Sequence, residues 1–281
     1  MTEEAQRRIW LVADDYGISP AVSAAIRDLI ARGRLSATSV MTSTPSFSPS
    51  EATALLDVAG SRAAIGLHVT LTGPFKPLTS GFAPLRDGAF PPLAAMAGRA
   101  LAHLQNVALL KAEILSQFAA FRAAFGRAPD YVDGHQHIHV FPQIGEALLR
   151  AVKQEAPHAW TRQCGRAAAA PKNFSDPKGY ILDALSRRFR RLAKAQGVRT
   201  NPAFAGTYSF QPGAAFEQLF PGFLDGLPDG GLIMCHPGKV DDELRRLDPL
   251  TTLRECEYAF FLSQRFPQLL AERGYALASL T

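Results

Sequence analysis

Three of the seven histidines in this 281-residue chain fall within five residues. With the preceding carboxylate they give Asp133, His135, His137 and His139 at every second position, between apolar neighbours. If this stretch is extended, the alternation of side chains along a strand places all four on one face. Imidazole nitrogen binds borderline divalent metals, and a nearby carboxylate can join the imidazoles or orient them. The spacing therefore favours a metal site over a histidine-rich surface loop.

Other acidic or imidazole side chains stand where an apolar, strand-like run gives way to a turn. They are Asp14 and Asp15 after residues 9–13, His68 within residues 64–71, and His236 after residues 231–235. In a parallel (β/α) barrel the carboxyl ends of the strands gather at one rim, where active sites lie. We therefore expect four strand ends, including the one that leads into the histidine cluster, to bring these groups together.

A carboxylate and two imidazoles around a divalent metal leave positions open for water or substrate. Such a metal polarises a carbonyl and lowers the pKa of bound water from ~15.7 towards about 7. A second carboxylate can accept the proton of that water, and a further histidine can protonate the leaving group. Asp14 and Asp15 would point to opposite sides of a straight strand, so we expect them at a strand-to-turn junction.

The elements that must position these groups alternate along the chain. Strand-like apolar runs and helical patterns alternate about seven or eight times, with no break in composition and no internal repeat. This predicts an α/β fold, an irregular (β/α) barrel of about seven or eight mostly parallel strands, in a single domain over residues 1–281. Residues 101–125 and 250–266 each read as one long helix. No GxGxxG or P-loop follows the first strand, so no nucleotide cofactor is expected.

The amino-acid composition limits the class of protein and the cellular compartment that we expect. The chain is 47% hydrophobic and 20% charged, with a net charge of +5, which is typical of a globular protein without a nucleic-acid partner. No apolar run is long enough to cross a bilayer, and the polar start Met1 to Arg8 does not read as a signal peptide. The three cysteines are far apart and form no CxxC pair. We expect a cytoplasmic protein without an integral membrane segment.

Basic residues crowd one segment, from Arg187 to Lys194. Such a run usually forms the solvated face of a helix, and we favour that interpretation. The alternative is a surface for an anionic ligand or a membrane.

Four segments resemble the signature segments of the YdjC-like carbohydrate deacetylases, a family that includes the chitooligosaccharide deacetylases. They are residues 13–19 (ADDYGIS), 66–71 (GLHVTL), 133–139 (DGHQHIH) and 234–238 (MCHPG). Their order and spacing fit the family over nearly the whole chain.

The resemblance implies a metal-dependent hydrolase, a carbohydrate N-deacetylase of the class that acts on linear amides. Its substrate would be an N-acetylated amino sugar, oligosaccharide or glycoconjugate, and a metal-bound water would attack the amide carbonyl. The implied roles are metal ligands for Asp15, His68 and His135, the base for Asp14, the acid for His236, and substrate contact or support of the ligands for Asp133, His137 and His139. The resemblance further implies one divalent ion, magnesium or zinc, and a homodimer.

Two other functions compete with deacetylation. Other barrel metallohydrolases, of the amidohydrolase or phosphoesterase kind, also use His-x-His pairs. They place such a pair at the end of the first strand, where this chain has Asp14 and Asp15. A non-catalytic sugar- or metal-binding protein is the second alternative. Asp14 argues against it, because a binder needs no proton acceptor beside its metal.

Overall fold

The computed structural model describes residues 6–170, 177–211 and 213–280. Residues 1–5 lie outside the described part of the chain. They belong to the segment Met1 to Arg8, from which we expect no signal peptide. The strands are β1 (Arg7–Tyr16), β2 (Ala37–Val40), β3 (Ala64–Val69), β4 (Tyr131–Gly134), β5 (Trp160–Thr161), β6 (Phe204–Ala205), β7 (Leu232–Cys235) and β8 (Tyr275–Leu277). The helices are α1 (Pro20–Ala31), α2 (Pro49–Ala59), α3 (Leu93–Leu101), α4 (Val107–Phe125), α5 (Ile144–Glu155), α6 (Pro177–Ala195), α7 (Phe216–Leu224), α8 (Asp242–Leu247), α9 (Thr252–Leu262) and α10 (Arg265–Glu272).

Seven strands form one hydrogen-bonded row in the order β5-β4-β3-β2-β1-β7-β6, and β8 pairs with the start of β1. Every pairing between these strands is parallel. Helices cover the outside, and the apolar side chains of the strands and helices form one core. The predicted irregular (β/α) barrel is confirmed, and the carboxyl ends of its strands meet at one rim.

Loop backbone and one amide side chain join the two ends of this row. Thr161 of β5 forms an isolated bridge with Thr200, which precedes β6. The buried Asn201 side chain accepts a hydrogen bond from the backbone N–H of Gln163 at 2.8 Å and donates one to the Gln163 carbonyl at 3.0 Å. These contacts replace a continuous ladder between β5 and β6, which is why the barrel is irregular.

Two of the predicted long helices are broken. The helix expected over residues 101–125 begins at Val107, after Asn106, whose side chain accepts hydrogen bonds from the N–H groups of Ala108 and Leu109. An asparagine in this cap position competes with a continuous helix, and a separate helix, α3, precedes it. The helix expected over residues 250–266 is likewise divided into α9 and α10.

The described residues contain no helix that is both long and apolar enough to span a membrane.

Gly66 lies in β3 where no side chain fits. A Cβ built there would stand 2.5–2.7 Å from ring atoms of Tyr131. That ring is buried and stacks on Trp160 with centroids 4.5 Å apart, so it cannot move away without cost. We expect Gly66→Ala to lower the free energy of unfolding by about 1–3 kcal/mol in urea denaturation.

The control for Gly66 is Gly98 in α3, where an added Cβ would meet no atom within 4 Å. Gly98→Ala should be neutral or stabilise the protein by up to about 1 kcal/mol, because alanine favours the helix. Equal unfolding energies for the two variants would contradict the close packing assigned to Gly66.

Candidate metal centre and active site

A bulge in β1 turns two adjacent aspartates towards one site. The register between β1 and β2 shifts after Ala13, and Asp15 has a φ of 67°, in the left-handed region that non-glycine residues seldom adopt. Both carboxylates are buried. The expected strand-to-turn junction is wrong in one respect, because β1 continues to Tyr16. The bulge, rather than the strand end, lets Asp14 and Asp15 reach the same site.

Asp15, His68 and His135 meet at the rim, although they come from three different strand ends. One ligand atom from each lies within 4.8 Å of the other two. Oδ1 of Asp15 lies 3.3 Å from Nε2 of His68 and 2.9 Å from Nδ1 of His135. All three side chains are buried. Two imidazoles and one carboxylate around a common point can hold a divalent cation and leave coordination positions free.

Asp133 lies behind His68, on the side away from Asp15. Its Oδ1 is 2.6 Å from Nδ1 of His68. A carboxylate that accepts the Nδ1–H of a histidine fixes the tautomer whose Nε2 is free to bind a metal. Burial would lower the pKa of His68, but the carboxylates of Asp133 and Asp14 raise it to about 10. The surroundings of His68 therefore favour positive charge.

Arg162 is fully buried and joins Asp14 to Asp133. Its two terminal nitrogens lie 2.6 and 2.5 Å from the two carboxylate oxygens of Asp14, and one of them is also 2.5 Å from Asp133. Burial would raise the pKa of Asp14, but Arg162 and then His68 hold it below its usual value. Asp14 is thus kept ionised and fixed in orientation. Asp14, His68 and Asp133 form a second close group, but Arg162 already occupies it as the cation.

Arg254 binds the oxygen of Asp15 that faces away from the histidines. One of its terminal nitrogens lies 2.6 Å from Oδ2 of Asp15 and 2.7 Å from Asp248. Burial opposes ionisation of Asp15, but Arg254 and His135 hold its pKa well below the usual range. This pairing leaves Oδ1 of Asp15 to face His68 and His135.

The charge of this cluster suits a divalent cation. Four carboxylates, those of Asp14, Asp15, Asp133 and Asp248, share two buried guanidinium groups. When the histidines are neutral, as metal ligands must be, four negative and two positive charges leave a net charge of −2; without a metal, a proton on His68 supplies part of the compensation. Buried charge of this size calls for compensation, and a divalent ion between Asp15, His68 and His135 would supply it.

His236 stands at the end of β7 and is partly exposed. Its Nδ1 is buried without a hydrogen-bond partner among the described residues. The ring of Phe210 meets it edge-on, with centroids 5.5 Å apart. Burial lowers the pKa of His236, although Asp15 opposes this. A histidine with a lowered pKa is a stronger acid when protonated, which suits proton donation to a leaving group.

The remaining two histidines of the cluster are directed elsewhere. The chain leaves β4 after Gly134 and forms a 3₁₀ turn over His135–Val140, in which His137 has a φ of 57°. His137 contacts the sulfur of Cys164 at 3.5 Å, and Nε2 of His139 lies 2.8 Å from the Arg162 carbonyl oxygen. The expectation of one extended face is therefore wrong, since the alternation ends where the strand ends.

Sequence reasoning missed Arg162, Arg254 and Glu257. Arg162 directly follows β5, but the pattern that predicts the site consists only of acidic and imidazole groups at strand ends. Arg254 and Glu257 lie on α9, where an arginine and a glutamate three residues apart resemble an ordinary helix surface. Nothing in their spacing indicates that both are fully buried.

Glu257 supports the loop that carries His236. It accepts hydrogen bonds from the His236 backbone N–H at 2.5 Å and from the Tyr208 hydroxyl at 2.7 Å. Burial raises the pKa of Glu257 from 4.5 to about 7, although these hydrogen bonds oppose the rise. Its contribution to stability is therefore fully present below pH 4.5 and is lost as the pH rises to about 7.

We expect Glu257→Gln to remove this pH dependence. Between pH 4.5 and 7.5 the unfolding free energy of the wild type should fall by about 3 kcal/mol relative to the variant. Urea denaturation at several pH values measures this difference. Glu255→Gln, which removes an exposed carboxyl from the same helix, is the control. A difference between wild type and Glu257→Gln that does not change with pH would contradict the buried, protonated state of Glu257.

Comparison with known proteins identifies the family of this chain. A family model described as YdjC-like protein matches residues 8–272. The chitooligosaccharide deacetylase of Escherichia fergusonii is 29% identical over 283 residues, which cover 98% of each chain. This chain belongs to the YdjC-like family, as its four segments predict.

Solved structures share the fold. A proposed cellobiose-phosphate cleavage protein from Enterococcus faecalis V583 matches with a TM-score of 0.72 at 22% identity, over 98% of each chain. A peptidoglycan N-acetylglucosamine deacetylase matches with a TM-score of 0.50 at 10% identity, over 96% of this chain and 85% of that one. At these identities the likeness concerns the barrel.

Proposed function

We propose that this protein is a metal-dependent hydrolase that removes the N-acetyl group from an acetylated amino sugar, oligosaccharide or glycoconjugate. The observation that carries the proposal is the meeting of Asp15, His68 and His135 at one point of the rim, with the carboxylate of Asp14 on the same bulge. The YdjC-like family and its chitooligosaccharide deacetylase member support a carbohydrate deacetylase.

Asp15, His68 and His135 would hold the cation, for which we propose magnesium or zinc. When bound, the cation would polarise the amide carbonyl and acidify a water molecule. Asp14 would accept a proton from a water molecule at the site, and the oxygen of that water would attack the carbonyl carbon. His236 gives a proton to the amine nitrogen as the carbon–nitrogen bond breaks. The products are acetate and the free amino sugar, so one water molecule is consumed for each amide hydrolysed.

The surrounding residues orient these groups and bound the site. Arg162 fixes Asp14, and Asp133 fixes His68. The rings of Phe75 and His135 meet edge-on, with centroids 5.4 Å apart. The rings of Phe210 and His236 meet in the same way. Phe210 is partly exposed and offers an apolar surface to a sugar ring, whereas Phe75 is buried and packs against His135.

Asp133, His137 and His139 were predicted to contact substrate or support the ligands. For Asp133 we propose support of His68. For His137 and His139 we propose that they shape the rim through Cys164 and Arg162. A cytoplasmic location is part of the same proposal, and the homodimer stays a prediction.

Acetate release with and without metal tests the function. The purified protein should release acetate from N,N′-diacetylchitobiose, lose this activity in EDTA, and regain it when magnesium or zinc is added back. Elemental analysis before chelation should find one ion per chain. Hydrolysis of p-nitrophenyl phosphate serves as the comparison. Metal-dependent phosphate release without acetate release would favour a phosphoesterase, and turnover that is indifferent to chelation would contradict the proposed metal centre.

A further inference from the structure

One face of α6 carries a row of cations. Arg187, Arg191 and Lys194 recur at intervals of four and three residues, so their side chains lie along one side of the helix. Arg190 flanks the row, and all four residues are exposed. Their exposure agrees with the solvated helix face predicted from the sequence. Solvation alone does not explain why several cations lie next to one another.

Among the described residues, the cations of this row have no acidic partner. The basic residues beside the row are paired, since Arg166 binds Asp183 and Arg188 binds Glu146. Within the described ranges no carboxylate forms an ion pair with Arg187, Arg190, Arg191 or Lys194. Cations so close together repel one another, and this repulsion is relieved when an anion binds between them.

The row borders a concavity rather than a flat surface. A cavity of about 1040 Å³ is lined by the three cations of the row, by Arg190 and Arg199, and by residues 197, 198 and 200. A second cavity of about 440 Å³ shares Arg187 and Arg190 and extends to Gly165 and Arg166. Together they form a groove, the basic groove, along α6. None of the residues that form the metal centre lines it.

We propose that the basic groove binds a ligand that carries phosphate groups, at a site separate from the metal centre. A guanidinium group presents parallel N–H donors that match two oxygens of one phosphate, and four of the five cations are arginines. Several cations around one cavity favour an anion with several charges over a single carboxylate. The phosphate can belong to a soluble compound or to the headgroup of a lipid.

Exposed side chains near one end of the groove are relevant to whether the phosphate belongs to a soluble compound or to a lipid. Tyr180 lines the second cavity, and its ring lies under the guanidinium group of Arg166 at 4.9 Å. Ile181 follows it in the sequence and is 58% exposed, although it lines neither cavity. Basic and exposed apolar side chains on one helix are a pattern of contact with an anionic lipid surface. The experiment therefore includes both soluble and lipid-borne phosphate.

Sodium tripolyphosphate is the soluble probe and is titrated into the full chain by calorimetry, with citrate as the tricarboxylate comparison. Vesicles of phosphatidylglycerol and phosphatidylcholine, against phosphatidylcholine alone, are the lipid probe in co-sedimentation. The groove variant is Arg187→Gln with Arg191→Gln. The matched control, Arg150→Gln with Lys153→Gln, removes two exposed charges from α5 that do not line the cavity. Thermal unfolding verifies that both variants are folded.

We expect tripolyphosphate to bind and the groove variant to bind it about a hundredfold more weakly, or about tenfold for each lost guanidinium group. The control should bind within about threefold of the wild type. Additional binding to anionic vesicles, lost in the groove variant, would assign the phosphate to a lipid, whereas tripolyphosphate binding alone would assign it to a soluble compound. Failure of both probes, equal binding of citrate, or an equal loss in the control variant would overturn the proposal.

Discussion

Replacing Asp14 with asparagine is expected to lower the rate of acetate release by about 10² to 10⁴-fold, the usual contribution of a general base. Asparagine keeps the shape of the side chain and an oxygen that can accept a hydrogen bond from Arg162. It cannot take a proton from water. The cation should remain, because Asp15, His68 and His135 hold the candidate ligand atoms. Elemental analysis should therefore find the wild-type metal content in the Asp14→Asn protein.

The neighbouring substitution Asp15→Asn is the matched control. It changes the same functional group one residue away but removes a carboxylate oxygen that faces both His68 and His135. This variant should lose metal as well as activity, and high concentrations of metal should restore part of the activity. A variant of Asp14 that loses its metal, or that keeps its turnover, would contradict the division of roles between the two aspartates.

The sequence was sufficient to predict which strand ends meet. Asp15, His68 and His135 lie far apart in the chain, but each follows or ends an apolar run. In a parallel barrel such positions share one rim. The confirmed fold and family rest on this regularity, together with the four segments. β2 and β3 lie between β1 and β4 in the row, so the contact between Asp15 and His135 depends on the curvature of the predicted barrel and not on the pairing of neighbouring strands.

The directions of individual side chains could not be predicted in this way. The alternation that suggested one face for His135, His137 and His139 holds only in a strand, and the left-handed conformation at His137 ends it. Likewise, the bulge that turns Asp14 and Asp15 together depends on register with β2. Both features are local departures from regular structure, and only the surrounding packing selects them.

The buried arginines were missed for a related reason. An arginine in a sequence is most often exposed, and its burial is possible only where carboxylates from other segments compensate its charge. Arg162 meets Asp14 and Asp133, and Arg254 meets Asp15 and Asp248. Asp248 is six residues from Arg254, but the other three partners are 29 to 239 residues away in the sequence, so their pairing becomes visible only in the folded chain.

Arg162→Met is expected to lower the free energy of unfolding by about 3–5 kcal/mol, because it leaves two buried carboxylates without their cation. The side chain of Arg162 is fully buried and lies within 2.6 Å of both Asp14 and Asp133. Methionine fills a similar volume, so the expected loss comes from charge rather than from a cavity. Urea denaturation of the metal-free protein at neutral pH measures it.

The pH dependence of this loss identifies its cause. Arg162 holds the pKa of Asp14 low, so its stabilising effect is present above the ordinary aspartate pKa and is lost as the pH falls and the carboxylate protonates. The gap between wild type and Arg162→Met should therefore be widest at neutral pH and shrink in acid. A gap that stayed constant would indicate lost packing instead of unpaired charge.

Combining Arg162→Met with Asp14→Asn distinguishes the effect of Arg162 on Asp14 from its effect on Asp133. Once Arg162 is methionine, adding Asp14→Asn removes one of the charges left unpaired, so the double variant should be more stable than Arg162→Met alone. In the wild-type background Asp14→Asn breaks a close ion pair and should destabilise the protein. This opposite sign is a coupling that independent residues would not show. If Asp14→Asn destabilises both backgrounds equally, Arg162 does not act on Asp14 through its charge, and the base assigned to Asp14 is positioned by other contacts.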